Sequence, residues 1–198
     1  MRIRLDLLPR DDYVGEVVLL VDVLRTATSA ALLFGNGLER LVSTGSLRES
    51  RRVAGNGTLL VGERHGVPPE GFNHSGSLRA LQGLDVSGRS AVLLADNTPR
   101  ALQRVAAAET VYLASFFNLG AAARAALESG SERISIVCAG HDDEEDLDDS
   151  LVAGALAAEI ARLGEGVEFE GAVKLALNLS RAFPDPMEAL WISSAGRA

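Results

Sequence analysis

A chain of 198 residues, 47% of them hydrophobic, is long enough for a real core and too apolar for a disordered segment. Its net charge of −8 argues against nucleic acid or an anionic membrane as the main partner, and no run of about 18 apolar residues proposes a membrane span. The single cysteine, Cys138, excludes an internal disulfide; with an N-terminus that lacks the apolar core of a signal peptide, this suits the cytoplasm.

In chain order, VVLLVDV (Val17 to Val23) predicts a fully buried strand, and TATSAALLF a helix ended by Gly35-Asn36-Gly37. ERLVST and TLLVGE predict strands, with SLRESRRVA as a helix between them. AVLLA, TVYLAS and RISIVCA predict further strands, separated by the helices PRALQRVAAA, with Pro99 at its start, and FFNLGAAARAALES. SLVAGALAAEIARL reads as a helix, and VEFEGAVKLALNLSRAF and PMEALWISSA as two more with no strand between them. This alternation predicts an α/β fold with a mostly parallel sheet covered on both faces. Residues 1–198 read as one unit, with two sub-lobes, about 1–88 and 89–198, as a subdivision.

Such sheets bind ligands beyond the carboxyl ends of their strands. The polar residues there are Asp22 and Arg25, Glu63 and Arg64, Asp96 and Asn97, Ser115 and Asn118, and Cys138, Gly140 and His141. Each alone suits a helix cap or polar loop; together they point to one shared site. The long irregular stretch from Gly62 to Ser77 has the character of a functional loop. Of the 19 basic residues only Lys174 is a lysine, so phosphate or carboxylate binding falls to arginine.

Several motifs fail. GNGLER has Arg40 where a dinucleotide fingerprint needs its third glycine, and neither a GxxxxGK[ST] loop nor a GxSxG elbow occurs. His65 and His74 share a loop without metal-site spacing, so zinc is not expected. Asp142 to Asp149 holds seven carboxylates in eight positions; Asp142 to Asp146 read as a solvated acidic loop, and Asp148 or Asp149 as the residue delivered to the site, as metal ligand or helix cap.

Three stretches, VDVLRTATS, GERHGVPPEGFN and VCAGHDDEEDLDDSLVAGAL, occur in an order that resembles the 2-phosphosulfolactate phosphatase family, an enzyme class of coenzyme M biosynthesis. The resemblance runs from residue 1 to about 160 and rests on the combination. It implies a three-layer α/β/α fold and a Mg²⁺-dependent phosphatase that releases phosphate from a small anionic 2-phospho acid. The matching positions are Asp22, Arg25, Glu63, Arg64, Gly71, Phe72, Asn97, Arg100, Ser115, Phe116, Asn118, Cys138, Ala139, Gly140, Asp149, Ala153 and Gly154. The departures are Asn73 where the family has aspartate, the turn Asp96-Asn97-Thr98-Pro99 without the family's glycine, His65 after Glu-Arg, and an end at Ala198, short of the family's usual C-terminal stretch. Asp96 is a candidate replacement for the carboxylate missing at Asn73.

The chemistry also stands on the residues alone. Phosphate-ester hydrolysis needs charge neutralised on the transferring oxygens and a nucleophile held in line. Mg²⁺ takes one or two carboxylates plus water and substrate oxygens, and Asp22, Glu63 and Asp149 are the candidates. Arg25 and Arg64 are candidate bidentate clamps. Asn97, Ser115 and Asn118 offer hydrogen bonds, the last two alternatively as helix caps, and Gly140 allows close backbone approach. Cys138 reads as a nucleophile or as a small buried hydrophobe; His74 and His141 are further acid–base candidates. The leading expectation is hydrolysis of 2-phosphosulfolactate to sulfolactate and phosphate. The alternative is a non-catalytic or re-aimed small-anion-binding protein on the same fold. The apolar C-terminal helices around Trp191 pack on the core or on a second subunit of a homodimer.

Overall fold

The structure is a computed structural model that describes residues 1–64, 67–193 and 196; the position of His65 lies outside the described residues. RIRLD forms the first strand, β1 (Arg2–Asp6), by alternation: Ile3 and Leu5 join the main core, and Arg4 and Asp6 take the opposite face. The charges break the apolar run, which is why the sequence showed no strand there. VVLLV forms β2 (Val17–Val21), and it lacks polar positions because both faces are covered. Val17, Leu19 and Val21 enter one apolar cluster, and Val18 and Leu20 another.

The chain continues through α1 (Thr26–Gly35), β3 (Arg40–Thr44), α2 (Leu47–Val53), β4 (Leu59–Gly62), α3 (Leu78–Leu81), β5 (Ser90–Leu94), α4 (Thr98–Arg104) and β6 (Thr110–Ala114). A 3-10 turn at Phe116–Asn118 leads into α5 (Leu119–Glu128), followed by β7 (Arg133–Cys138), α6 (Leu147–Leu163), β8 (Glu168–Phe169), α7 (Val173–Ala182) and α8 (Pro186–Ile192). The main sheet has the order β6-β2-β7-β1-β8 and the second sheet β3-β5-β4; every pairing is parallel. Residues of α5, α6 and α7 cover one face of the main sheet, and α4 with the loop around Tyr13 covers the other. This is the expected α/β/α layering. The second sheet packs on α1 and α3 through Leu33, Val61, Leu81 and Leu93. At the crossing of α6 and α7, a Cβ on Gly154 would lie 2.0 Å from the Ala176 carbonyl oxygen, so only glycine permits this approach.

Three expectations need correction. The sheets do not divide near residue 88: β5 lies beyond that point and pairs with β3 and β4, while β1 and β2 lie before it and pair with strands from the second half. The second sheet is a segment inserted between β2 and β6. Glu168 and Phe169, read as helix, form an edge strand on β1, and the helix begins only at Val173. Asp146, read as solvated, is buried and caps α6 by accepting the Leu147 N–H at 2.7 Å. At the C-terminal end, Ala189 is buried and Leu190 packs on the core, while Trp191 is 69% exposed. Among the described residues no helix is long and apolar enough to cross a membrane.

Candidate active site

The carboxyl ends of β2, β4, β5 and β7 converge on a cavity of about 730 Å³. It is lined by Asp22 and Arg25 after β2, Glu63 and Arg64 after β4, Asp96 and Asn97 after β5, and His141 and Asp142 after β7. The insertion of one sheet into the other thus places ligand-binding ends of two sheets opposite each other.

Asp22 is held from two elements. Its Oδ1 accepts the Thr26 N–H at 3.0 Å, at the start of α1, and its Oδ2 accepts the hydroxyl of Thr98 at the start of α4. Asp149, in the first turn of α6, accepts the Val23 N–H at 3.0 Å and the Gly140 N–H at 3.1 Å, so one carboxylate ties the ends of β2 and β7 together. Burial raises the Asp22 carboxyl above its usual range, against the hydrogen bonds from Thr98 and Thr26. Burial, reinforced by the charges of Asp22 and Asp148, pushes Asp149 well above it. Burial and then Asp146 raise Asp148 to about 6. Among the described residues none of these three carboxylates has an arginine or lysine partner.

The arginines of the cavity are paired elsewhere. Arg25 Nη2 contacts Glu63 Oε1, and Arg64 Nη1 contacts Asp96 Oδ1 while its Nη2 donates to the Gly45 carbonyl at 3.1 Å. Asn97 Oδ1 accepts from Arg100 at 2.9 Å and, more loosely, from the Asp142 N–H at 3.4 Å. His141 and Glu144 exchange backbone hydrogen bonds of 2.9 and 3.0 Å. Between them Asp142 and Asp143 have φ of 51° and 64°, the left-handed pair that a tight two-residue hairpin requires. Arg100 holds Asp143 at 3.2 Å, which fastens this turn at the rim. Gly140, with φ of 71°, begins the turn; a Cβ there would meet Leu8 Cδ2 at 2.5 Å and the Glu144 carbonyl at 2.6 Å.

The model of the 2-phosphosulpholactate phosphatase family matches residues 3–198. A protein of Thermus thermophilus named probable 2-phosphosulfolactate phosphatase is 40% identical over 200 residues, covering 100% of this chain and 84% of that protein. One of the same name from Deinococcus radiodurans is 39% identical, covering 99% of this chain and 82% of the relative. A third, from Symbiobacterium thermophilum, is 32% identical with 96% and 83% covered. The chain belongs to the 2-phosphosulpholactate phosphatase family.

The family resemblance and the cavity coincide at Asp22, Arg25, Glu63, Arg64 and Asn97. Asp96 and His141 line it as well, whereas Ser115, Asn118, Cys138, Gly140 and Asp149 do not. Ser115 accepts the Phe117 N–H at 3.2 Å, and Asn118 accepts the Ser115 N–H at 2.9 Å and donates to the Leu113 carbonyl at 2.9 Å; they form a capping box before α5. Cys138 is fully buried in the main core, and burial followed by the charges of Asp149, Asp148 and Asp6 raises its thiol well above the usual range. This is the small-hydrophobe alternative, since an attacking cysteine needs an accessible thiolate. Gly140 serves through its N–H to Asp149, one layer behind the cavity wall.

Glu63 and Asp149 do not join Asp22 in a three-carboxylate cage: Glu63 faces Arg25, Asp149 does not line the cavity, and no cluster of three or more His, Cys, Asp or Glu side chains able to hold a metal occurs among the described residues. Asp96 does not replace the carboxylate missing at Asn73, because it pairs with Arg64. Asn73 itself latches the long loop to β4, accepting the Leu60 N–H at 2.8 Å, and lies outside the cavity lining. The sequence reading missed Thr98 as the partner of Asp22; its place at the helix start before Pro99 was the available signal. The long loop from Gly62 to Ser77, read as functional without singling out these residues, supplies Ser75, Gly76 and Ser77 as a wall of the cavity.

Proposed function

We propose that the chain hydrolyses a small anionic 2-phospho acid, 2-phosphosulfolactate foremost, to sulfolactate and phosphate with Mg²⁺. The observation that supports this best is the position of Asp22, a buried carboxylate that has no arginine or lysine partner among the described residues, in a cavity that also presents Arg25 and Arg64. The cavity volume falls within the range of about 300–1,000 Å³ usual for small-molecule sites. In this buried setting the charge of Asp22 adds to the raised pKa values of Asp148 and Asp149, and that of Asp148 to Asp149, and a divalent cation relieves that repulsion. The donor set fits Mg²⁺ in the mode that uses one or two carboxylates with water and substrate oxygens, with Asp22 as the holder and Asp149 behind it. When bound, Mg²⁺ supplies charge neutralisation on the phosphoryl oxygens.

The chain's own residues supply the rest. Arg25 and Arg64 bind the phosphoryl and the second acidic group by charge-assisted hydrogen bonds. Thr26 and Thr98 orient Asp22. Asn97, braced by Arg100, presents its amide at the cavity wall.

The test is phosphate release from 2-phosphosulfolactate by purified protein, with Mg²⁺ and with EDTA, for wild type and Asp22→Asn. Mg²⁺-dependent release that falls by at least about a hundredfold in the variant is expected. Release that survives either EDTA or Asp22→Asn sinks the assignment of Asp22.

A further inference from the structure

Both cavity arginines meet a carboxylate of the same chain, but the two pairs differ. Glu63 is largely buried, with 14% of its side chain exposed, and it belongs to the wall. Asp96 is 66% exposed and stands on the short link between β5 and α4. Its carboxylate takes Nη1 of Arg64, and the Gly45 carbonyl takes Nη2. Both terminal amino groups of Arg64 are therefore engaged, one by a backbone carbonyl and one by a solvated side chain. A solvated ion pair is weakly held and screened by salt. A doubly charged ligand oxygen cluster offers Arg64 a stronger partner than a single carboxylate.

We propose that Asp96 is an internal anion that occupies Arg64 until an acidic group of the ligand displaces it, which makes Asp96 a specificity-determining residue of the cavity. The exchange costs nothing in net pairing for Arg64, but it brings ligand and Asp96 close with like charge. A dianionic oxygen cluster, such as phosphate or sulfate, overcomes that cost. A single weak carboxylate gains little over Asp96 and is rejected. The inference rests on the reading of this cavity as an anion site, and it does not require that the chain hydrolyse anything.

The probes are inorganic sulfate and inorganic phosphate, titrated calorimetrically in EDTA at low salt so that no turnover or metal enters. Wild type, Asp96→Asn, Arg64→Gln and the double variant are compared. Asp96→Asn binds sulfate about two- to fivefold more tightly than wild type, from the strength of exposed ion pairs. In the Arg64→Gln background the same substitution gives no gain, because the guanidinium to be released is gone. A gain that persists without Arg64 reports only the lost negative charge and overturns the proposal. Equal binding by wild type and Asp96→Asn overturns it as well while leaving the anion site intact. Absence of sulfate and phosphate binding in all four proteins removes the anion site itself, and this proposal with it. Asp96 is exposed and caps no helix, so Asp96→Asn is expected to fold.

Discussion

Two groups of buried carboxylates lie beside the main sheet, and they are treated oppositely. Asp6 and Glu16 lie among cations and donors: Arg4 Nε is 3.1 Å from Asp6, Arg10 Nε 2.9 Å from Asp6, and Arg4 Nη2 3.5 Å from Glu16. Tyr13 donates to Asp6 at 3.1 Å, the Ser135 hydroxyl donates to Glu16, and Arg4 lies over the Tyr13 ring at 5.1 Å. Asp22, Asp148 and Asp149 have hydrogen bonds but, among the described residues, no such cation. A fold that surrounds one group with cations has the means to do so for the other. Leaving it uncompensated is what a site needs if positive charge is to arrive from outside.

The largest expected effect breaks the compensated group. Arg4→Ala leaves Asp6 and Glu16 buried without their nearest shared cation and costs about 3–5 kcal/mol of stability, read as a lower urea midpoint. An Arg4→Ala protein as stable as wild type would mean that the distinction is one of geometry only. Adding the missing charge to the other group comes next. Mg²⁺ at a hundred times its dissociation constant raises wild-type stability by about 2.7 kcal/mol in thermal unfolding, and Asp22→Asn abolishes the shift. An equal shift in both proteins would place the cation elsewhere. The smallest effect concerns pH. Asp148 is raised from 3.8 to about 6 in the fold, so the folded state holds its proton more tightly than the unfolded chain. Below about 4 the carboxyl is protonated in both states and costs nothing. As pH rises through about 6 the fold loses stability of about 3 kcal/mol, and the loss is complete above that. In EDTA, Asp148→Asn flattens this slope; a slope that stays the same in the variant assigns it to other groups.

Much of the fold was legible because continuous apolar strands such as Val17 to Val21 and RISIVC carry their burial on their face. β1 and β8 were not, since Arg4, Asp6 and Glu168 break the apolar pattern with charges that the fold satisfies by ion pairs. The division into two sheets was also hidden, because register between distant strands leaves no local mark. At the site, strand-end position found Asp22, Arg25, Glu63, Arg64 and Asn97. The same rule drew in Ser115 and Asn118, whose side chains are consumed by the capping box that any strand-to-helix turn favours. Asp149 was found for its carboxylate, but its oxygens are spent on two backbone N–H groups, a use that spacing alone does not reveal.

The inserted sheet also sets an order of assembly. During synthesis from the N-terminus, β1 and β2 are made first, yet neither pairs with the other: β2 waits for β6 at Thr110, and β1 for β7 at Arg133. The second sheet, whose pairings lie between Arg40 and Leu94, is complete long before either. The segment that follows Asp22 can therefore fold while β2, the strand that leads to Asp22, is still an open edge. Such long-range parallel closure is slow, and unpaired apolar strands are prone to aggregate. The nascent chain thus has its greatest need of protection between the emergence of VVLLV and that of RISIVC.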